Sequence, residues 1–296
     1  MPRTRFAPGR IALHGVHGFL MGAADIVPGV SGGTVALVLG IYERLVSSIR
    51  AAAAVPVLLL RGRVAAATGR SKEVDWAFVL PLAAGVVLAI GAGAAVILPV
   101  YAAFPHEVSA VFFGLVLASL AVPWRRITRR DAVTWALLLA CAAVAFVVVG
   151  LPRQAAGAPS SLQVAGSAAI AICAMILPGV SGAYLLEVMG VYTATLEALR
   201  SLDVAYIATF AAGAAVGLGL FARLLEALLA SWPSRTMAAL TGLMLGALRA
   251  LWPWLEDERL LLAPPMDATA LLPLLLGVTA FVGLRLVLRW GSTAAT

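Results

Sequence analysis

The chain has 296 residues, of which 62% are hydrophobic and 12% charged, and its formal net charge is +7. That balance excludes an ordinary water-soluble domain, because several apolar runs reach the ~20 residues that carry a helix across a bilayer. Cys141 and Cys173 sit inside apolar runs without metal-ligand or CxxC spacing, so they read as packing residues, and no disulfide, metal or cofactor is expected; nor is a nucleic-acid partner.

Arg3, Arg5 and Arg10 precede an apolar run that ends Gly22-Ala23-Ala24, the outline of a signal peptide. His14 and His17 interrupt the run, and its continuation recurs inside the chain, so the segment reads as part of the protein. Residues 11–50 are too long for one ordinary span and are cut by Pro28-Gly29-Val30-Ser31-Gly32. Spans follow at 75–101, 106–123 and 131–151. Residues 162–200 repeat the first pattern around Pro178-Gly179-Val180-Ser181-Gly182, and further spans follow at 204–231, 235–252 and 269–289.

Basic residues cluster at Arg3 to Arg10, at Arg44 to Lys72 and at Arg125 to Arg130. The positive-inside rule places all three clusters in the cytoplasm only if 11–50 re-enters the side it left. The chain then alternates so that Arg235, Arg285 and Arg289 fall inside and Glu256-Asp257-Glu258 outside, with Arg153, Arg200 and Arg259 as the basic residues of the outer loops. Both termini are expected in the cytoplasm.

The halves match beyond the motif: Asp75 with Asp203, Ala83-Ala84-Gly85 with Ala211-Ala212-Gly213, Phe104-Pro105 with Trp232-Pro233, Gly114 with Gly242, and Trp124 with Trp252. One re-entrant hairpin and three spans give each half an odd number of crossings, so the halves, 1–151 and 152–296, must be inverted relative to each other. The expected fold is an all-α integral membrane protein with an inverted-topology repeat.

Proline and glycine stop the first half-helix of each hairpin, at Pro28-Gly29 and at Pro178-Gly179. Ser31 and Ser181 then stand as N-caps before Thr34 to Arg44 and Tyr184 to Arg200, which read as helical. Unpaired N–H groups at such a start suit phosphate or carboxylate. Inversion would bring the two starts together near the midplane, where irregular backbone must be covered by protein or line a cavity. The candidate anion site is therefore Ser31, Gly32, Gly33 and Thr34 with Ser181, Gly182, Ala183 and Tyr184.

"MGAADIVPGVSGGTVALVLGIYERL" together with "ILPGVSGAYLLEVMGVY" resembles the bacterial polyprenyl-phosphate transporters, a membrane family once listed only as a domain of unknown function. Pro28, Gly29, Ser31, Gly32, Gly33, Thr34, Gly40 and Tyr42 match its first motif, and Pro178, Gly179, Ser181, Gly182, Gly190 and Tyr192 its second; Glu187 departs from the apolar residue expected there. The resemblance implies translocation of undecaprenyl phosphate toward the cytoplasmic leaflet of a bacterial inner membrane. Moving an anion inward opposes a negative-inside potential by about 2.3 kcal/mol per charge per 100 mV, so coupling to protons or another ion is expected, with Asp25 and Glu187 as the carboxylates to test. Arg223, three residues before Glu226, either pairs with it or contacts phosphate.

Two enzyme readings compete. Gly29 to Gly33 fits a serine-nucleophile elbow, but His14, His17 and His106 are the histidines on offer and the motif is duplicated. A lipid-pyrophosphate phosphatase would add an arginine after the serine and a glutamate cluster, where this chain has Gly32 and Gly182. A transporter of another anion is the remaining alternative.

Overall fold

The structure is a computed structural model that describes residues 8–27, 30–154, 159–256 and 260–293. Pro28 and Gly29, Arg3 and Arg5, and Asp257 to Arg259 lie outside the described residues. Fourteen α-helices make up most of the described residues: α1 (Pro8–Ile26), α2 (Gly32–Val38), α3 (Tyr42–Leu60), α4 (Val64–Ser71), α5 (Trp76–Ala103), α6 (Pro105–Ser119), α7 (Ala121–Arg125), α8 (Ala132–Val148), α9 (Ser161–Ile176), α10 (Gly182–Val188), α11 (Tyr192–Ser201), α12 (Val204–Ser231), α13 (Pro233–Ala247) and α14 (Leu271–Thr293). Among the described residues the only strands are β1 (Leu255–Glu256) and β2 (Leu260–Leu261), an antiparallel pair.

Among the described residues, four stretches are long and apolar enough to cross a membrane: α5, Pro105–Arg125, α12 and Ala268–Leu288. The chain is thus an essentially all-α membrane protein. Its long helices carry exposed apolar side chains such as Val87, Leu139, Val216 and Leu275, a surface that water would penalise and lipid tails accept. The other segments read as spans are shorter in the structure: 131–151 becomes the 17-residue α8, and 235–252 the 15-residue α13 followed by a 3-10 turn at Leu248–Leu251.

Side-chain caps start several helices: Asp131, Ser160 and Asp203 accept from the backbone N–H of Thr134 (2.8 Å), Gln163 (3.3 Å) and Tyr206 (3.0 Å). The helices expected over Thr34–Arg44 and Tyr184–Arg200 are each broken. Gly40 (φ +71°) and Gly190 (φ +72°) take up the left-handed conformation in which a helix ends, and new helices begin at Tyr42 and Tyr192. Each serine therefore caps a helix of only seven residues.

Helix packing repeats along the chain. α1 lies along α5 and α9 along α12; α8 lies along α13 and α14 along α6. The glycines that recur between the halves sit where neighbouring helices approach closely. A Cβ on Gly85 would lie 2.1 Å from the carbonyl of Gly15, and one on Gly213 2.2 Å from that of Ala165; Gly114 and Gly242 meet Gly277 and Leu138 in the same way. These contacts require a missing side chain, which is why the residues match.

Ion pairs differ from the local pairings the sequence suggests. Glu226 pairs with Arg50 across α12 and α3 at 2.5 Å instead of with Arg223 one turn away. Arg44 turns from its neighbour Glu43 to Asp75 at 2.5 Å, and Glu43 meets Arg126 at 2.9 Å. In each case a tertiary neighbour offers a carboxylate or guanidinium at better geometry than the adjacent helical turn.

Candidate functional site

Residues Ser31 to Thr34 meet the second Pro-Gly-Val-Ser turn. The Ser31 hydroxyl donates to the carbonyl of Leu177 at 3.2 Å, and the Gly179 N–H donates to Thr34 Oγ1 at 3.0 Å. A Cβ on Gly33 would lie 2.7 Å from the carbonyl of Ile176. Gly179 itself has φ +89° and presses its backbone against Met244 of α13, so both conformation and space demand glycine there. Pro178 beside it is fully buried.

The first copy is closed. Ser31 is 0% exposed and Thr34 3% exposed. The Gly32 N–H donates to Asp25 Oδ1 at 2.6 Å, and the Gly33 N–H to Ser31 Oγ at 3.2 Å. Asp25 reaches forward from the last turn of α1, so a carboxylate of the chain itself occupies the start of α2.

The second copy is open. Ser181 Oγ accepts from the N–H of Tyr184 at 3.4 Å, as a cap does. The residue in the place of Asp25 is Met175, whose side chain lies over Gly182 but offers no carboxylate. Among the described residues the N–H groups of Gly182 and Ala183 have no acceptor. Gly179, Ser181 and Tyr184 border a cavity of about 260 Å³ whose other walls include His106, Ser109, Arg153 and Trp252. A water molecule occupies roughly 30 Å³ of liquid, so the cavity has room for a tetrahedral phosphate group.

Arg153 follows α8, and its Nε stands 2.7 Å from Glu187 Oε2. Glu187 is thus one end of an ion pair at the cavity edge; the Gln154 N–H donates to its backbone carbonyl at 3.1 Å. The Tyr184 hydroxyl donates to the carbonyl of Leu151 at 2.8 Å, tying α10 to the end of α8. His106 lies in the first turn of α6 with Nδ1 2.5 Å from the carbonyl of Pro253; a carbonyl only accepts, so Nδ1 carries the proton and Nε2 is left as an acceptor. Of these groups the Arg153 guanidinium and the Ser181 hydroxyl can donate to an anion, while the Tyr184 hydroxyl donates to Leu151 and the Nδ1 proton of His106 goes to Pro253.

Two apolar grooves flank the joined turns. One, about 830 Å³, lies between α5 and α14 and is bordered by Val30, Thr34 and Val35 of the first copy. The other, about 520 Å³, lies between α8 and α12 and is bordered by Leu177, Val180 and Leu185 of the second.

The expected residues therefore divide. Ser181, Gly179 and Tyr184 border the polar cavity with Gly182 and Ala183 behind Ser181, whereas Ser31, Gly32, Gly33 and Thr34 are engaged within the protein. Arg223 is exposed on α12 and lines neither the cavity nor a groove. Arg153 and His106 are site residues that the sequence does not single out. A signal for Arg153 is nonetheless present: the sequence reading places it in an outer loop, against the positive-inside trend.

A family model described as undecaprenyl phosphate translocase-like matches residues 21–264. A polyprenyl-phosphate transporter of Vibrio cholerae serotype O1 is 37% identical to this chain over 239 residues, covering 81% of this chain and 77% of that protein. No solved structure matches the chain. The family match spans both Pro-Gly-Val-Ser motifs and every wall of the cavity at the second, and the chain belongs to the undecaprenyl phosphate translocase-like family.

Proposed function

We propose that the chain transports polyprenyl monophosphate, and that it carries undecaprenyl phosphate toward the inner leaflet of the bacterial cytoplasmic membrane. Its phosphate is received in the cavity at Ser181. The observation that carries this reading is the polar cavity itself, which brings Ser181, Tyr184, His106 and Arg153 together beside an apolar groove. Arginine suits a phosphate monoester because its planar fork makes paired, charge-assisted hydrogen bonds. A seven-residue helix supplies little macrodipole, so the individual N–H groups and side chains do the recognition.

The proposed scaffold is an inverted repeat, 1–151 and 152–296, each half with a re-entrant hairpin. Recurrent helix pairs and matched close-packed glycines support it. In that arrangement the buried first copy and the open second copy are two faces of one gate, and exchange of their states moves the phosphate across. Inward movement of the anion against the membrane potential calls for a coupling ion, for which a proton on Asp25 or Glu187 is the economical choice.

The test is binding and transfer by purified protein in proteoliposomes. Wild-type protein binds undecaprenyl phosphate and moves it between leaflets, and Ser181→Ala weakens both. Release of inorganic phosphate from undecaprenyl pyrophosphate, dependent on Ser181 or Ser31, would overturn the transporter reading in favour of a phosphatase.

A further inference from the structure

We propose that the isoprenoid chain of the lipid lies in the groove between α8 and α12 while its phosphate sits in the cavity at Ser181. This rests on the proposed transport of polyprenyl phosphate and assigns the tail its own site. α8 lies against α13, and α12 against α9 and α3, and a groove is left between α8 and α12. Its walls are Val144 and Val148 on one side and Leu220 and Leu224 on the other, over a floor from α9. Leu220 and Leu224 are also exposed on the outer surface, which lets the cleft open sideways to lipid.

Continuity selects this groove over its counterpart. Val149 borders both the polar cavity and the α8–α12 groove, and Val180 faces the groove between Gly179 and Ser181, which face the cavity. A chain leaving the phosphate therefore passes Val149 and enters hydrocarbon surroundings at once. The larger α5–α14 groove shares no lining residue with the cavity. It abuts the first copy of the turn, where Ser31 is buried and Asp25 already holds the Gly32 N–H. A lipid with its head at Ser181 thus has its tail beside α12.

Cys173 makes the inference testable, because it lines the α8–α12 groove and the chain's other cysteine is Cys141. In a Cys141→Ala protein, saturating undecaprenyl phosphate slows alkylation of Cys173 by a membrane-permeant maleimide about tenfold, whereas methyl phosphate, which has no chain to place in the groove, does not. Leu220→Trp, at an exposed wall position, weakens undecaprenyl phosphate binding about tenfold and leaves methyl phosphate binding unchanged. Val96→Trp in the α5–α14 groove changes neither. The inference is overturned if bound undecaprenyl phosphate leaves Cys173 equally reactive, or if Val96→Trp and not Leu220→Trp selects against the long chain. If neither phosphate binds the wild-type protein, the headgroup reading fails, and the tail assignment falls with it.

Discussion

Arg153→Ala is the sharpest perturbation of the proposed phosphate site. The side chain is 44% exposed and its partner Glu187 24%, so the ion pair between them is largely screened and is worth about 0–1 kcal/mol to folding. Against a phosphate the same guanidinium makes charge-assisted hydrogen bonds, each worth about 1.5–3 kcal/mol. Loss of one such contact corresponds to a rise in Kd of about tenfold to a hundredfold. The two magnitudes separate binding from stability: affinity for undecaprenyl phosphate falls steeply while the thermal midpoint barely moves. Glu187→Gln has the opposite sign, since it removes an anion that competes for Arg153. Binding is measured by microscale thermophoresis or by filter retention of radiolabelled lipid, with melting followed on the same preparations. Unchanged affinity in Arg153→Ala protein that melts like wild type would refute the placement of phosphate at this cavity.

Asp25→Ala strips the acceptor from the Gly32 N–H and leaves a buried donor unmet, at a cost of about 1–3 kcal/mol; Asp25→Asn keeps an oxygen there and loses less, an ordering that thermal melts in detergent would read. Gly85→Ala and Gly213→Ala force Cβ atoms onto neighbouring carbonyls and cost about 1–3 kcal/mol, whereas Gly91→Ala, with open space around it, is neutral or gains up to ~1 kcal/mol of helix propensity; yields of folded monodisperse protein check this. Gly40→Ala meets no atom within 4 Å but must hold φ near +71°, so it destabilises by about 1–2 kcal/mol through backbone strain alone, seen as a lower melting midpoint. Asp131 precedes α8 at the protein surface, and the hydroxyl and then the backbone N–H of Thr134 hold its carboxyl below the ordinary carboxylate value. Its stabilisation is therefore present above the unfolded pKa and lost as pH falls through the lowered folded one, so the melting difference between wild type and Thr134→Ala shrinks in acid and is full at neutral pH.

The parts of this molecule legible in its sequence are those governed by short-range chemistry. Apolar run length locates the long helices α5 and α12 because a bilayer imposes a length, and the serines of the two turns act as caps because the residues after them can only start a helix. Glycines at matched positions mark the helix crossings, since a carbonyl at 2.1–2.2 Å from a would-be Cβ tolerates nothing larger. Features that depend on a distant partner escape such a reading. Gly40 and Gly190 match between the halves, yet their left-handed backbone, which cuts the helices expected after the two serines into shorter ones, has no signature that separates it from a small packing residue. Glu226 reads as the partner of Arg223 until the fold brings Arg50 of α3 across to it. Arg153 and Glu187 each look anomalous alone, a cation in an outer loop and an acid in an apolar helix, and only the fold joins them.

The difference between the two turns centres on one matched pair of positions, Asp25 and Met175, beside the further changes of Gly33 to Ala183 and Thr34 to Tyr184. At Asp25 the chain supplies its own carboxylate to the start of α2, and the groups that would greet an anion are spent. At Met175 it supplies a thioether, which cannot accept from Gly182, and the neighbouring surface gains Arg153 and His106. If the halves exchange states during transport, Asp25 must release the Gly32 N–H, and protonation is the step that weakens that bond most. Transport by Asp25→Asn protein, which carries no titratable group at this position, then loses its dependence on an imposed pH gradient while phosphate binding at Ser181 persists. Measuring both in the same proteoliposomes decides the point: a pH-gradient response equal to wild type in Asp25→Asn removes this carboxylate from the coupling step and leaves Glu187, the ion-pair partner of Arg153, as the next carboxylate to test.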